Sequence, residues 1–162
     1  MKVLGIDPGT AACGYGLVEQ SGGRLRTTVH GWWRTPARER PELRLKTIYD
    51  GVGELVADHA PDAVALEECF VGADARTALS VGQARGAVLV AAAVAGIECT
   101  EYAPALVKQT ICGYGRAEKG QVQRMVKAIL GLDEMPAPTH AADALAVAIC
   151  HALAPPLLRA VP

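Results

Sequence analysis

The amino-terminal part of the chain alternates short apolar runs with turns. Residues Lys2 to Asp7 form an apolar run that stops at Pro8 and Gly9. This pair is typical of a tight turn, because proline fixes φ and glycine accepts a positive φ. Gly14 to Glu19 and Arg24 to Arg34 have the pattern of two more strands, joined by a glycine-containing turn. The pattern therefore predicts an antiparallel β-β-β meander.

The rest of the chain predicts helices that alternate with two further strands. Apolar residues recur at helical spacing from Pro41 to His59. The almost uninterrupted apolar run from Asp62 to Glu67 is typical of a strand buried on both faces. The other predicted elements are a Gly- and Ala-rich helix from Ala75 to Gly96, a strand from Ile97 to Tyr102, and helices at Pro104 to Cys112, Glu118 to Leu130 and Thr139 to Leu153.

This order of elements predicts an α/β fold. Three antiparallel strands followed by α-β-α-β and terminal helices give a five-stranded mixed sheet flanked by helices, which is the strand order of the ribonuclease H-like fold. A chain of 162 residues suffices for one compact domain. We expect that domain at residues 1–153, with residues 154–162 as a fraying carboxyl-terminal tail.

The composition is that of a soluble globular protein, with 51% apolar and 20% charged residues. The longest apolar run, Gly86 to Ile97, is shorter than the roughly 18 residues that span a bilayer, so we expect a cytoplasmic protein without a membrane partner. Five cysteines without a CxxC pair argue against a disulfide framework and against a zinc site.

The formal net charge of −1 conceals an uneven distribution of charge. The segment from Glu101 to Gly131 carries five cationic and two acidic residues. A basic surface can therefore coexist with an acidic pocket elsewhere in the molecule.

Three carboxylates and one imidazole are the candidates for chemistry. Asp7 and Glu67 each end a predicted strand, and His140 and Asp143 lie three residues apart on one face of a predicted helix. Each has an ordinary alternative, since Asp7 could form a turn, Glu67 could be a solvated strand end and Asp143 could favour the helix dipole. Thr139 is the predicted amino-terminal cap of that helix. Together, the three carboxylates and the imidazole are predicted to meet in one pocket.

Crowded carboxylates repel one another unless cations lie between them, so the cluster predicts Mg²⁺ or Mn²⁺ bound through oxygen. Two ions per active site, about 4 Å apart, can activate a water on one side of a phosphodiester and stabilise the leaving oxygen on the other. The expected chemistry is phosphoryl transfer, with Asp7 shared between both ions.

Several ordered motifs along the chain match one known protein family. They are Leu4-Gly5-Ile6-Asp7-Pro8-Gly9-Thr10, Gly14-Tyr15-Gly16, Leu66-Glu67-Glu68-Cys69-Phe70, Gly82-Gln83-Ala84-Arg85-Gly86, Val107-Lys108-Gln109-Thr110, Ala117-Glu118-Lys119 with Gln121-Val122-Gln123, and Ala141-Ala142-Asp143-Ala144-Leu145-Ala146. In these motifs the sequence resembles the bacterial RuvC Holliday junction resolvases, and the likeness runs from Gly5 to about His151.

The resemblance implies a homodimer that binds a four-way DNA junction. It also implies symmetric nicks in two opposing strands, with 5′-phosphate ends, and a branch-migration motor as a partner. The family's catalytic acids correspond to Asp7, Glu67 and Asp143. The fourth position is often aspartate and is His140 here, which favours Mn²⁺ because an imidazole suits borderline ions better than a carboxylate does.

The resemblance also implies DNA-binding residues. An aromatic residue at the place of Phe70 stacks on a base near the opened junction, although a lone phenylalanine is also compatible with a core position. Lys108, Arg116 and Lys119 are predicted to hold phosphates, although each lysine could instead lie on a solvated helix face, and Arg76 is a further predicted DNA-binding residue.

Three alternatives remain open from the sequence. Asp7-Pro8-Gly9-Thr10 also resembles the first phosphate loop of actin-type and sugar-kinase ATPases, but those proteins have two lobes and need about twice this length. His140 raises the possibility of a junction-binding protein that does not cut. A nuclease that acts on ribosomal RNA precursors shares the opening motif, but the regions around Phe70 and Lys108 fit the junction resolvases better.

Overall fold

The sheet has five strands and is mixed. A computed structural model describes residues 1–9, 11–68 and 75–155. The strands are β1 (Lys2–Pro8), β2 (Ala12–Ser21), β3 (Arg24–Arg34), β4 (Ala63–Glu67) and β5 (Cys99–Tyr102), and they are ordered β3-β2-β1-β4-β5 across the sheet. β1 to β3 form the antiparallel meander, whereas β4 and β5 run parallel to β1.

Helices cover both faces of this sheet. The helices are α1 (Pro41–His59), α2 (Ala75–Val94), α3 (Pro104–Cys112), α4 (Lys119–Leu130) and α5 (Thr139–Leu153). Helices α1 and α2 bury one apolar cluster against Leu4 and Ile6 of β1. The cluster on the opposite face contains Val3 together with residues of α3, α4 and α5. The side chains of β1 therefore alternate between two cores, as a central strand requires.

Helix α5 lies very close to β1 and β2 because glycines stand beneath it. A Cβ atom added to Gly5 would lie 2.1 Å from the carbonyl oxygen of Ala144, and one added to Gly14 would lie 2.1 Å from that of His140. Any other residue at these positions would push the helix away from the sheet. The glycines thus set the height of α5 above the end of β1.

Three local predictions are wrong. β1 continues through Pro8, which pairs with Cys13, so the strand does not stop at Asp7. Gly9 does not have a positive φ. Its small size is needed because an added Cβ would lie 2.2 Å from the carbonyl oxygen of Ala12. The residue that caps α5 is Pro138, and Thr139 is the first helical residue, without a side-chain cap.

By length and composition α2 could cross a bilayer, a criterion that some core helices of soluble proteins also meet. In this fold it packs on α1, and Arg85 near its middle forms an ion pair with Glu101 of β5.

The predicted tail begins at Ala154 and Pro155, and residues 156–162 lie outside the described part of the chain.

Candidate active site

The site begins with two neighbouring strand ends. β1 and β4 are paired in parallel, so Asp7 and Glu67 come at the same edge of the sheet. A side chain on Gly5 would point towards α5. Asp7 comes two residues later in β1, so its side chain points to the same face of the sheet. Ala65 belongs to the cluster beneath α3 to α5, and Glu67 is two residues further on. Both carboxylates therefore lie on the face covered by α5.

The first turn of α5 completes the cluster. His140 Nδ1 lies 2.8 Å from Asp7 Oδ2, a hydrogen bond that joins the helix to the end of β1. Asp143 lies one helical turn further on, on the same face. One ligand atom from each of Asp7, His140 and Asp143 can be chosen so that all three lie within 4.8 Å of one another. A donor set of this size matches the space around one cation.

A lysine already neutralises part of this charge. Lys119, the first residue of α4, donates a hydrogen bond of 2.6 Å to Asp143 Oδ2. Next to this pair is a cavity of about 250 Å³ that Glu67, Lys108, Lys119 and Asp143 help to line. The cavity therefore presents two carboxylates and two ammonium groups around one space.

Glu67 has the most perturbed carboxyl group of the cluster. Burial, followed by the negative charges of Asp7 and Asp143, raises its pKa from the ordinary 4.5 to about 7, although Lys119 and Lys108 oppose the shift. A carboxylate that is costly to ionise gains from any added positive charge. The Glu67 side chain thus favours a cation at this edge of the sheet.

The pKa values of the other groups also respond to the crowding. The hydrogen bond to Asp7 raises the pKa of His140, against the opposing effect of burial. Burial raises the pKa of Asp143, against the opposing hydrogen bond from Lys119. For Lys119 burial acts to lower the pKa, but the hydrogen bond and charge of Asp143, with the charges of Asp7 and Glu67, raise it overall. The pKa values of Glu67, Lys119, His140 and Asp143 therefore each depend on the charges of their neighbours in the cluster.

The residues that build this site fall within a match to a known family. Residues 3–151 match the family model described as crossover junction endodeoxyribonuclease RuvC. The chain belongs to the RuvC family.

Curated and solved RuvC proteins agree with this match over most of their length. The RuvC of Moorella thermoacetica, described as a crossover junction endodeoxyribonuclease, is 56% identical over 152 residues, which are 94% of this chain and 91% of that protein. The structure of Thermus thermophilus RuvC in complex with a Holliday junction substrate matches with a TM-score of 0.89 and 43% identity, covering 94% of this chain and 93% of that chain.

A more distant structure shares the fold alone. The yeast mitochondrial Holliday junction resolvase Ydc2 is 12% identical, with a TM-score of 0.67, and the match covers 91% of this chain and 76% of that one. The predicted family and the predicted ribonuclease H-like fold are confirmed by these relationships together with the observed strand order.

The structure describes four of the five predicted DNA-binding residues of this RuvC-family chain. Lys108 and Lys119 line the cavity beside Glu67. Arg116 is exposed, three residues before α4 begins, and Arg76 is exposed in the first turn of α2. Phe70 lies outside the described residues. Their contacts with DNA stay predictions.

Two features of the RuvC-family site were missed from the sequence. The sequence predicts only a phosphate contact for Lys119, yet this residue forms an ion pair with Asp143. Gly5, Gly14 and Gly16 were given no role beyond the family motif, yet all three would clash with α5 if they carried a side chain. The spacing of the glycines could have predicted this role. Glycines two residues apart leave one face of a strand without side chains, so that another element can pack closely on it.

Proposed function

We propose that this chain cuts four-way DNA junctions as a divalent-metal-dependent endonuclease, hydrolysing a phosphodiester in each of two opposing strands and leaving 5′-phosphate ends. The observation that carries the proposal is the convergence of Asp7, His140 and Asp143 on a space of cation size, with Glu67 on the adjacent strand end. Membership of a junction-endonuclease family supports the choice of substrate. The reaction belongs to recombination and DNA repair.

The residues present fit a site for divalent cations. Asp7, Glu67 and Asp143 offer the oxygen ligands that Mg²⁺ and Mn²⁺ prefer, and His140 adds a nitrogen ligand. We propose that Asp7, Glu67, His140 and Asp143 would together hold two ions per site. Bound cations would supply activation of the attacking water and stabilisation of the leaving 3′ oxygen.

The side chains around the acids would hold the substrate and the ligands in place. The hydrogen bond between His140 and Asp7 fixes the orientation of both before substrate arrives. Lys119 neutralises Asp143, and Lys108 carries a second positive charge on the wall of the cavity. We propose that both lysines hold DNA phosphates near the scissile bond and that Arg116, Arg76 and Phe70 also contact the junction.

We propose a homodimer that forms through α2. Leu79, Val90 and Val94 are 67%, 55% and 71% exposed, and their spacing places them on one face of the helix. Gly82 and Gly86 lie on the same face, and added Cβ atoms would meet nothing within 4 Å. An apolar face with two glycines allows two helices to approach closely. A two-fold dimer places two active sites on two equivalent strands.

We further propose that the dimer works in the cytoplasm with a branch-migration motor that moves the junction. The RuvC-family relationship supports these two proposals.

The experiment that tests the proposed function is cleavage of a mobile synthetic four-way junction, with a linear duplex of the same sequence as control. Symmetric nicks that require Mg²⁺ or Mn²⁺ and appear only in the junction are expected. Binding without cleavage in both metals would favour the non-catalytic alternative. A large ATP-dependent thermal shift without cleavage would favour the ATPase alternative.

A further inference from the structure

Trp32 is a large aromatic side chain that the core does not enclose. It lies near the end of β3, which is an edge strand of the sheet, and 41% of its surface is exposed. A half-exposed tryptophan on an edge strand leaves much apolar surface in water. Its position relative to the acidic cluster suggests what covers that surface.

Pairing across the sheet places Trp32 in line with Asp7. Asp7 pairs with Gly14, and Gly14 pairs with Trp32. Directly opposed residues of antiparallel strands point to the same face of the sheet. Asp7 contacts His140 on the α5 face, and a side chain on Gly14 would collide with His140. Trp32 therefore points to the α5 face as well.

The neighbouring residue confirms this orientation. The ring of Trp33 stacks at 4.6 Å on that of Tyr15 and contacts Gly51 of α1, on the opposite face of the sheet. Successive side chains of a strand alternate between faces. Trp32 must consequently lie on the face of the active site.

Trp32 also lies close to the cluster. Two strand spacings separate it from Asp7, which is about 10 Å between Cα atoms. The first turn of α5, which supplies His140, packs over the strand between them. Arg34 follows two residues later on the same face and is exposed. An aromatic platform with an adjacent cation is the combination that binds single-stranded nucleic acid.

We propose that Trp32 stacks on a base or sugar of the DNA strand that crosses the active site, a few nucleotides from the scissile phosphate, with Arg34 on a neighbouring phosphate. The proposal rests on the proposed nuclease function. It extends the DNA-binding surface from Lys108 and Lys119 on one side of the acids to the edge strand on the other. Such a contact holds the strand on both sides of the phosphate to be cut.

A second protein copy is a weaker candidate for the occupant. The exposed apolar face proposed for the dimer belongs to α2, which covers the opposite face of the sheet. DNA that reaches Asp7 must pass over the α5 face, where Trp32 lies. Proximity to the acids and the charge of Arg34 both favour nucleic acid.

The test uses intrinsic fluorescence and binding of an uncut junction at one fixed salt concentration. The sequence has two tryptophans, so the Trp32→Phe protein reports Trp33 alone, and its difference from the parent gives the emission of Trp32. Asp7→Asn is included in all proteins to prevent cutting. We expect the junction to quench the Trp32 emission while the Trp33 signal stays constant.

Affinity measurements complete the test. Trp32→Ala should weaken junction binding about 5- to 100-fold, and Trp32→Phe should stay within about threefold of the parent because phenylalanine also stacks. Leu43→Ala is the matched control, since Leu43 has the same exposed fraction of 41% but lies on α1, on the other face, and it should bind like the parent. Melting temperatures of all variants should agree within a few degrees.

Two results would overturn the proposal. Unchanged Trp32 emission with unchanged affinity of Trp32→Ala would exclude a DNA contact. A large fall in the melting temperature of Trp32→Ala, rescued by phenylalanine and without a fluorescence response, would make Trp32 a packing residue. If the protein with Asp7 intact bound and cut the junction in these cases, the proposed function would stand. A protein with Asp7 intact that neither bound nor cut the junction would overturn both proposals.

Discussion

Nδ1 of His140 and Oδ2 of Asp7 lie 2.8 Å apart, and this contact joins two elements that are 133 residues apart in the chain. It links the first turn of α5 to the end of β1, two elements that approach closely because Gly5 has no side chain. The hydrogen bond also raises the pKa of His140. A proton on the imidazole therefore competes with any cation at this position.

The first prediction concerns the identity of residue 140. His140→Asp should stay active and shift the preference from Mn²⁺ towards Mg²⁺, because an oxygen ligand and a negative charge replace an imidazole. His140→Ala should be at least about tenfold slower than both. The measurement is the cleavage rate of one junction in each metal. An alanine variant that equals the parent in both metals would remove His140 from the site.

The second prediction follows from the raised pKa of Glu67. Its carboxyl binds more protons in the folded than in the unfolded protein between pH 4.5 and about pH 7. The free energy of unfolding of the metal-free protein should therefore fall as pH rises through this range, by up to about 3 kcal/mol. Denaturant titrations in the presence of a chelator measure this change.

Glu67→Gln should remove most of this pH dependence, because the amide does not titrate. Glu54→Gln, which changes an exposed residue of α1, should retain the profile of the parent. Adding Mn²⁺ to the parent should restore stability at pH 7. A Glu67→Gln protein with the parent's pH profile would contradict the buried, crowded environment described for this carboxyl.

The third prediction tests whether Lys108 contacts a DNA phosphate or is only a charge on the protein surface. Lys108→Ala should weaken junction binding and reduce the slope of log affinity against log salt by about one. The same change should raise the pKa of Glu67 further, since Lys108 opposes the existing shift. Lys46→Ala is the control, because Lys46 is paired with Asp50 on α1. Equal slopes for both variants would place Lys108 outside the DNA interface.

The fourth prediction tests the α2 dimer. Val90→Glu introduces a charge in the exposed apolar face and should convert the dimer to a monomer, whereas Leu43→Glu on α1 should leave the dimer intact. Sedimentation or light scattering gives the mass. A Val90→Glu protein that stays dimeric would move the interface away from this face.

Most of the fold could be predicted from local patterns. The ends of α1, α3 and α5 match the predicted limits, because a proline begins or precedes each helix and the apolar spacing is regular. The strand limits were less accurate. Pro8 stays in β1 because its neighbour β2 reaches Cys13, and only the paired structure contains that information.

The common location of the candidate site residues could be predicted from the sequence, but their electrostatic interactions could not, and their catalytic and metal-binding roles stay predictions. Asp7, Glu67, His140 and Asp143 were selected from strand ends and helix spacing, and the fold brings them to one edge of the sheet. The ion pair between Lys119 and Asp143 depends on how α4 packs beside α5. That packing is a tertiary relationship, which the sequence pattern of either helix does not contain. The orientation of Trp32 likewise required the strand register.

The most direct test of the central claim compares the parent with Asp7→Asn on the same synthetic four-way junction. The measurement is cleavage in Mg²⁺ or Mn²⁺ together with the affinity for the uncut junction. We expect symmetric nicks from the parent, and from Asp7→Asn a loss of cleavage by at least about 10³-fold with affinity within a few fold, because cationic side chains hold the DNA and Asp7 holds the cations. Normal cleavage by Asp7→Asn would contradict the assignment of this cluster as the active site.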